Sequence, residues 1–121
     1  MLISATIVEE LKMQYSIASD PILQKIQTAV VDAVSPDKII LFGSRAQDHF
    51  TSSSDYDLLV IKDDVQNERE IARKINYRLL RENIDQPVDI VVASTETWNR
   101  NIKKVGMIYK RIDEQGIVLY G

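Results

Sequence analysis

An α/β domain, a small mixed sheet flanked by helices, is the fold class this sequence predicts, and three observations predict it. Apolar runs of strand length stand at 38–42, 55–61 and 88–92, each bounded by turn-forming or polar residues. The longer stretches between them carry apolar residues at helical rather than alternating spacing. The chain has 121 residues, so all these elements must share one core in a single domain spanning 1–121.

In chain order, Thr6 with Glu9 three positions on reads as a capping box. Ile7, Val8, Leu11 and Tyr15 then fall on one helical stripe expected to pack on the body. Asp20-Pro21 is a sharper helix start, an N-cap followed by proline at the first helical position, and leads into Ile22, Ile26, Ala29, Val30 and Ala33. Ser35-Pro36 ends that helix, because the residue before proline is pushed out of the helical region, and the strand 38–42 follows. A helix over 67–83 turns Ile71, Ala72, Ile75, Leu79 and Leu80 inward. The strand 88–92 is apolar almost throughout and so is expected to be central, with Pro87 only at its beginning. Ser94 caps the next helical segment, and Ile102, Val105, Ile108, Tyr109 and Ile112 give a further apolar stripe. Gly116 stops it before a short closing strand at 117–120. Trp98 suits either surface stacking or the core.

The chemistry concentrates between the first two strands. Leu41-Phe42 runs into Gly43-Ser44, a tight turn opening a short helix, whose free N–H groups suit a phosphate. Asp55 and Asp57 open the next strand two residues apart. They therefore share one face, roughly 6.6 Å apart along the strand at about 3.3 Å per residue. Asp89 interrupts another apolar strand and needs a partner or an open sheet end. Oxygen donors of this kind suit hard divalent cations, and a phosphate cradle beside them suggests metal-assisted nucleotidyl or phosphoryl transfer. Arg45 fits equally a phosphate or a neighbouring acid. Tyr56, on the opposite face from the aspartates, is expected to pack, and His49, the single histidine, to sit in a solvated loop.

Gly43-Ser44, ten residues, then Asp55-x-Asp57, within Gly-Ser-Arg-Ala and Ser-Asp-Tyr-Asp-Leu-Leu-Val, resembles the signature of the DNA polymerase beta-like nucleotidyltransferase superfamily, above all its minimal nucleotidyltransferases. The resemblance covers nearly the whole chain and implies the nucleotidyltransferase fold. It implies that Asp55 and Asp57 bind two Mg²⁺ ions, that Asp89 holds the catalytic metal or activates the acceptor, and that Gly43 and Ser44, with Arg45, bind ATP. Minimal members are typically paired with a helical HEPN ribonuclease toxin, which they neutralise as antitoxin by adenylylating a tyrosine. The chain departs from the family pattern at Asp48, where Gly is common; the change alters the loop backbone and adds a negative charge near the phosphates.

Composition narrows the alternatives. A net charge of −3 gives no electrostatic footprint for nucleic acid, and the absence of cysteine removes disulfides, zinc thiolates and thiol nucleophiles. With no basic leader or long apolar segment, the protein is expected in the cytoplasm. The expected activity is Mg²⁺-dependent transfer of AMP from ATP to a hydroxyl of a protein partner. The rival readings are modification of a small hydroxylated compound and a non-catalytic module that neutralises by binding.

Overall fold

A computed structural model describes residues 4–47 and 50–121; Asp48 and His49, for which the loop substitution and the solvated histidine are expected, lie outside the described residues. The elements run α1 (Ala5–Ala18), α2 (Pro21–Val34), β1 (Lys38–Phe42), a 3₁₀ turn (Ser44–Ala46), β2 (Tyr56–Lys62), α3 (Glu68–Leu80), β3 (Val88–Ser94), α4 (Thr95–Asn101), α5 (Ile108–Gln115) and β4 (Ile117–Tyr120). The four strands form one mixed sheet in the order β3-β2-β1-β4. β1 is antiparallel to β2 and β4, and β2 is parallel to β3. No helix among the described residues is long and apolar enough to cross a membrane.

Strand alternation gives the sheet two apolar faces. Ile39, Leu41, Tyr56, Leu58, Val60 and Val92 meet Leu23, Ile26, Ala29 and Val30 of α2 and Ile75 and Leu79 of α3. On the reverse, Ile40, Leu59, Ile61 and Ala93 meet Trp98 of α4 and Ile112 of α5. Trp98 is therefore a core residue, set edge-to-face against Tyr109 at 6.2 Å between ring centroids. β3 is an edge strand rather than a central one. Apart from Asp89, its apolar character comes from helices on both faces, since Val88, Ile90 and Val92 face the α2/α3 side and Val91 and Ala93 the α4/α5 side.

Capping follows local chemistry closely. Asp20 accepts from the N–H groups of Ile22 and Leu23 at 3.0 and 3.1 Å, with Pro21 in the first turn. Asn67 caps α3 and Ser94 caps α4. At α1 the cap is Ser4, which accepts from Ile7 N–H at 3.2 Å, rather than the Thr6–Glu9 box. The α1 stripe does not pack as expected: no residue of the helix is buried, and Ile7, Leu11 and Tyr15 are exposed. Leu80, expected inward, closes α3 in solvent. The stripe through Ile102 and Ile112 belongs to two helices, separated at a positive-φ Gly106, and Val105 is exposed. At Gly116 a Cβ would overlap the Ile112 carbonyl and Ile40, which is why α5 can turn directly into β4 there.

Candidate active site

β1 and β2 pair so that Phe42 lies opposite Asp57, and β2 and β3 so that Asp57 lies beside Asp89. Parity then puts both carboxylates on the α4/α5 side, at the end of the sheet where β1 stops and β2 and β3 begin. The two acids are in hydrogen-bonding contact. The Asp57 carboxyl is raised above its ordinary 3.8, first by partial burial, then by the Asp89 charge and hydrogen bond, and last by the Asp55 charge. Asp55 stands just before β2 and is exposed, so it lies at the margin of the pair. Three converging carboxylates are thus only partly realised: two touch, the third acts through its charge. Among the described residues no three His, Cys, Asp or Glu side chains gather into a ready metal cluster.

Gly43 fixes the other wall. Its φ of 74° and ψ of −158° lie in a region that is essentially glycine's own, and a Cβ there would overlap Asp57 Oδ2. The glycine therefore lets the main chain pass directly over the Asp57 carboxylate. The Ser44–Ala46 turn that follows has no side-chain cap, leaving its first N–H groups for a ligand. Between this turn and α5 lies a cleft of ≈ 640 Å³ lined by Phe42, Gly43, Ser44, Ile108, Arg111 and Gln115, among others. Gln47 donates to Gln115 across it at 3.2 Å.

Of the two roles open to Arg45, the structure shows the pairing with an acid and turns the side chain away from the Gly43–Ser44 turn. It is 7% exposed and turned beneath the loop before β2. Nε donates to the Ser54 carbonyl at 2.9 Å and Nη2 to those of Ser52 and Thr51 at 3.2 and 3.3 Å. The guanidinium stacks 4.0 Å from the Tyr56 ring centroid and reaches Asp20 Oδ2 at 3.8 Å. The loop carbonyls and an N-cap acid outcompete a phosphate because all of them lie within reach on the buried side. Tyr56 packs as expected, its O–H donating to Asp20 Oδ2 at 2.7 Å; burial and that bond push its pKa up to about 12. Tyr56→Phe should leave Asp20 short of one donor and lower unfolding free energy by about 1–2 kcal/mol, read from urea denaturation.

Arg111 was not legible as a site residue. It lies 67 positions beyond Ser44 in a helix that no local motif ties to the turn, and only its i, i+4 relation to Gln115 could have hinted at a shared face. It makes no ion pair among the described residues. Arg111→Ala is expected to weaken nucleotide binding about tenfold, by loss of one charge-assisted contact, at unchanged melting temperature; calorimetric titration with ATP and Mg²⁺ reads it.

Residues 24–121 match the family described as polymerase beta, nucleotidyltransferase. The chain belongs to that family. Its nucleotidyltransferase fold is seen also in a Sulfolobus solfataricus protein inferred to be a nucleotidyltransferase, at 16% identity and a TM-score of 0.56 over 89% of this chain and 83% of that one. No curated protein matches the chain. Family membership makes the domain a transferase of the nucleotidyl type.

Proposed function

We propose that this protein transfers AMP from ATP to a tyrosine hydroxyl of a helical HEPN ribonuclease partner, and so silences that partner as its antitoxin. The observation that carries the protein acceptor is the position of Asp89: exposed, on an edge strand and hydrogen-bonded to Asp57. A small acceptor would find few walls there to exclude water, whereas a folded partner brings its own.

The donor set fits a divalent cation, since the pair is all oxygen and a cation offsets both the partial burial and the Asp89 and Asp55 charges that raise Asp57. Asp57 and Asp89 would hold Mg²⁺ with Asp55 beside them, and the bound ion would neutralise charge on the triphosphate and make the hydroxyl more acidic. The chain's own residues do the rest. The turn at Gly43 and Ser44 holds the phosphates, Arg111 contacts them from α5, and the cleft orients the nucleotide. The tyrosine oxygen bonds to the α-phosphorus, the bond to the β-phosphate oxygen breaks, pyrophosphate leaves, and the hydroxyl proton passes to Asp89.

The test is intact-mass spectrometry of the partner, co-expressed from the adjoining reading frame, after incubation with ATP and Mg²⁺. Addition of whole AMP groups by the wild type, and none by Asp57→Asn, is expected. Silencing of the partner at unchanged mass would establish the second reading, neutralisation by binding alone, which the separation of Asp55 from the Asp57–Asp89 pair favours. Labelling of an added aminoglycoside instead would move the enzyme to small-molecule substrates.

A further inference from the structure

The back of the same sheet edge carries a second surface. A groove of ≈ 530 Å³ runs between α3 and the start of β3, lined by Arg73, Tyr77, Leu80, Ile84, Gln86 and Val88, among others. Tyr77 and Leu80 are 68% and 83% exposed, far more than large apolar side chains on the inward face of the same helix. The Oε1 atom of Gln86 is buried beneath the groove with no hydrogen-bond partner among the described residues. Arg73, Tyr77 and Arg81 recur every four residues with Arg69 one turn before, and they share a helix face. Arg78, between them in sequence, is neutralised by Asp32 and Glu82, but Arg69, Arg73 and Arg81 make no ion pair among the described residues. An acidic chain of net charge −3 has here a cationic stripe around an aromatic and an aliphatic anchor.

We infer that this face of α3 and its groove dock the partner protein through a segment that is acidic at its rim and apolar at its centre; the inference rests on the protein-acceptor reading. Tyrosine and arginine around a desolvated centre is the composition of binding hot spots. A second copy of this chain fits poorly, because a two-fold contact would set the same arginines against each other. Nucleic acid fits poorly because the middle of the stripe is apolar. The position suits the chemistry. Val88 faces the groove and the next residue, Asp89, faces the site, so a partner seated here lies one strand's thickness from the carboxylates and can reach a tyrosine around the free edge of β3.

The experiment measures the affinity of the co-expressed partner for wild type, Tyr77→Ala/Leu80→Ser and Arg73→Glu by calorimetry at two salt concentrations, with thermal shift by Mg²⁺ and ATP on the same samples. Both variants are expected to lose at least tenfold in partner affinity, Arg73→Glu with a shallower salt dependence, while the Mg²⁺ and ATP shift stays at the wild-type value. Wild-type affinity in both variants would overturn the docking face and leave the proposed function standing. Absence of a wild-type complex would overturn both. A homodimer or RNA complex of the wild type that the same variants abolish would overturn the assignment of the groove to the partner.

Discussion

Replacing Asp57 by asparagine is expected to lower nucleotidyl transfer by about a hundredfold or more, roughly 2.7 kcal/mol of transition-state stabilisation, while the fold survives. Asp57 touches Asp89, stands opposite the end of β1 and lies beneath Gly43, and among the described residues no other acid holds that position. Its effect on the protein without ligand has the opposite sign. A raised carboxyl favours the protonated form in the fold, so its contribution to stability is present below the ordinary 3.8 and is lost as pH rises through the raised value. Melting temperature of the ligand-free wild type should therefore fall over that window, and Asp57→Asn should flatten the fall and match or exceed the wild type above it. With Mg²⁺ and ATP the order reverses: the wild type gains about 2.7 kcal/mol at ligand one hundred times its Kd, and the variant gains nothing. Calorimetric scans across pH with and without ligand separate the two effects. A variant that unfolds would make Asp57 structural.

Gly43→Ala is expected to damage both stability and activity. The backbone at φ 74°, ψ −158° costs an L-residue about 1–3 kcal/mol, and the new methyl must also displace the Asp57 carboxylate. Chemical denaturation should show a loss of at least that size. The residual folded protein should transfer AMP at a rate close to that of Asp57→Asn, since the same carboxylate is moved. Gly43→Ala combined with Asp57→Ser, which replaces the carboxylate group by a single hydroxyl oxygen and so relieves the crowding, should recover part of the stability and none of the activity. Equal stability of Gly43→Ala and wild type would show that the turn can relax away from β2.

What the amino-acid order determined by itself is the local chemistry. Asp20-Pro21, Asn67 and Ser94 begin helices because their side chains satisfy N–H groups within three residues. The Asp57 side of β2 follows from alternation, and Gly43 stands where only glycine tolerates the backbone. These depend on neighbours a few positions away and are readable in one dimension. The tertiary structure decided the rest, because it depends on which distant surfaces meet. An apolar strand covered on both faces reads the same at the edge as in the middle, so the free side of β3 and the exposure of Asp89 appear only once the strand order is set. Arg45 has phosphate-binding chemistry and a motif address, but the loop carbonyls of Thr51, Ser52 and Ser54 take the Nε and Nη2 donors and the acid of Asp20 pairs with Nη1, all from the buried side. Periodicity in α1 and at Leu80 marks an amphipathic helix without naming what covers it, and in this chain Ile7, Leu11, Tyr15 and Leu80 face outward. Arg111 joins the site only because α5 folds back across β1 to stand over Gly43 and Ser44, a closure over more than sixty residues that no local pattern encodes.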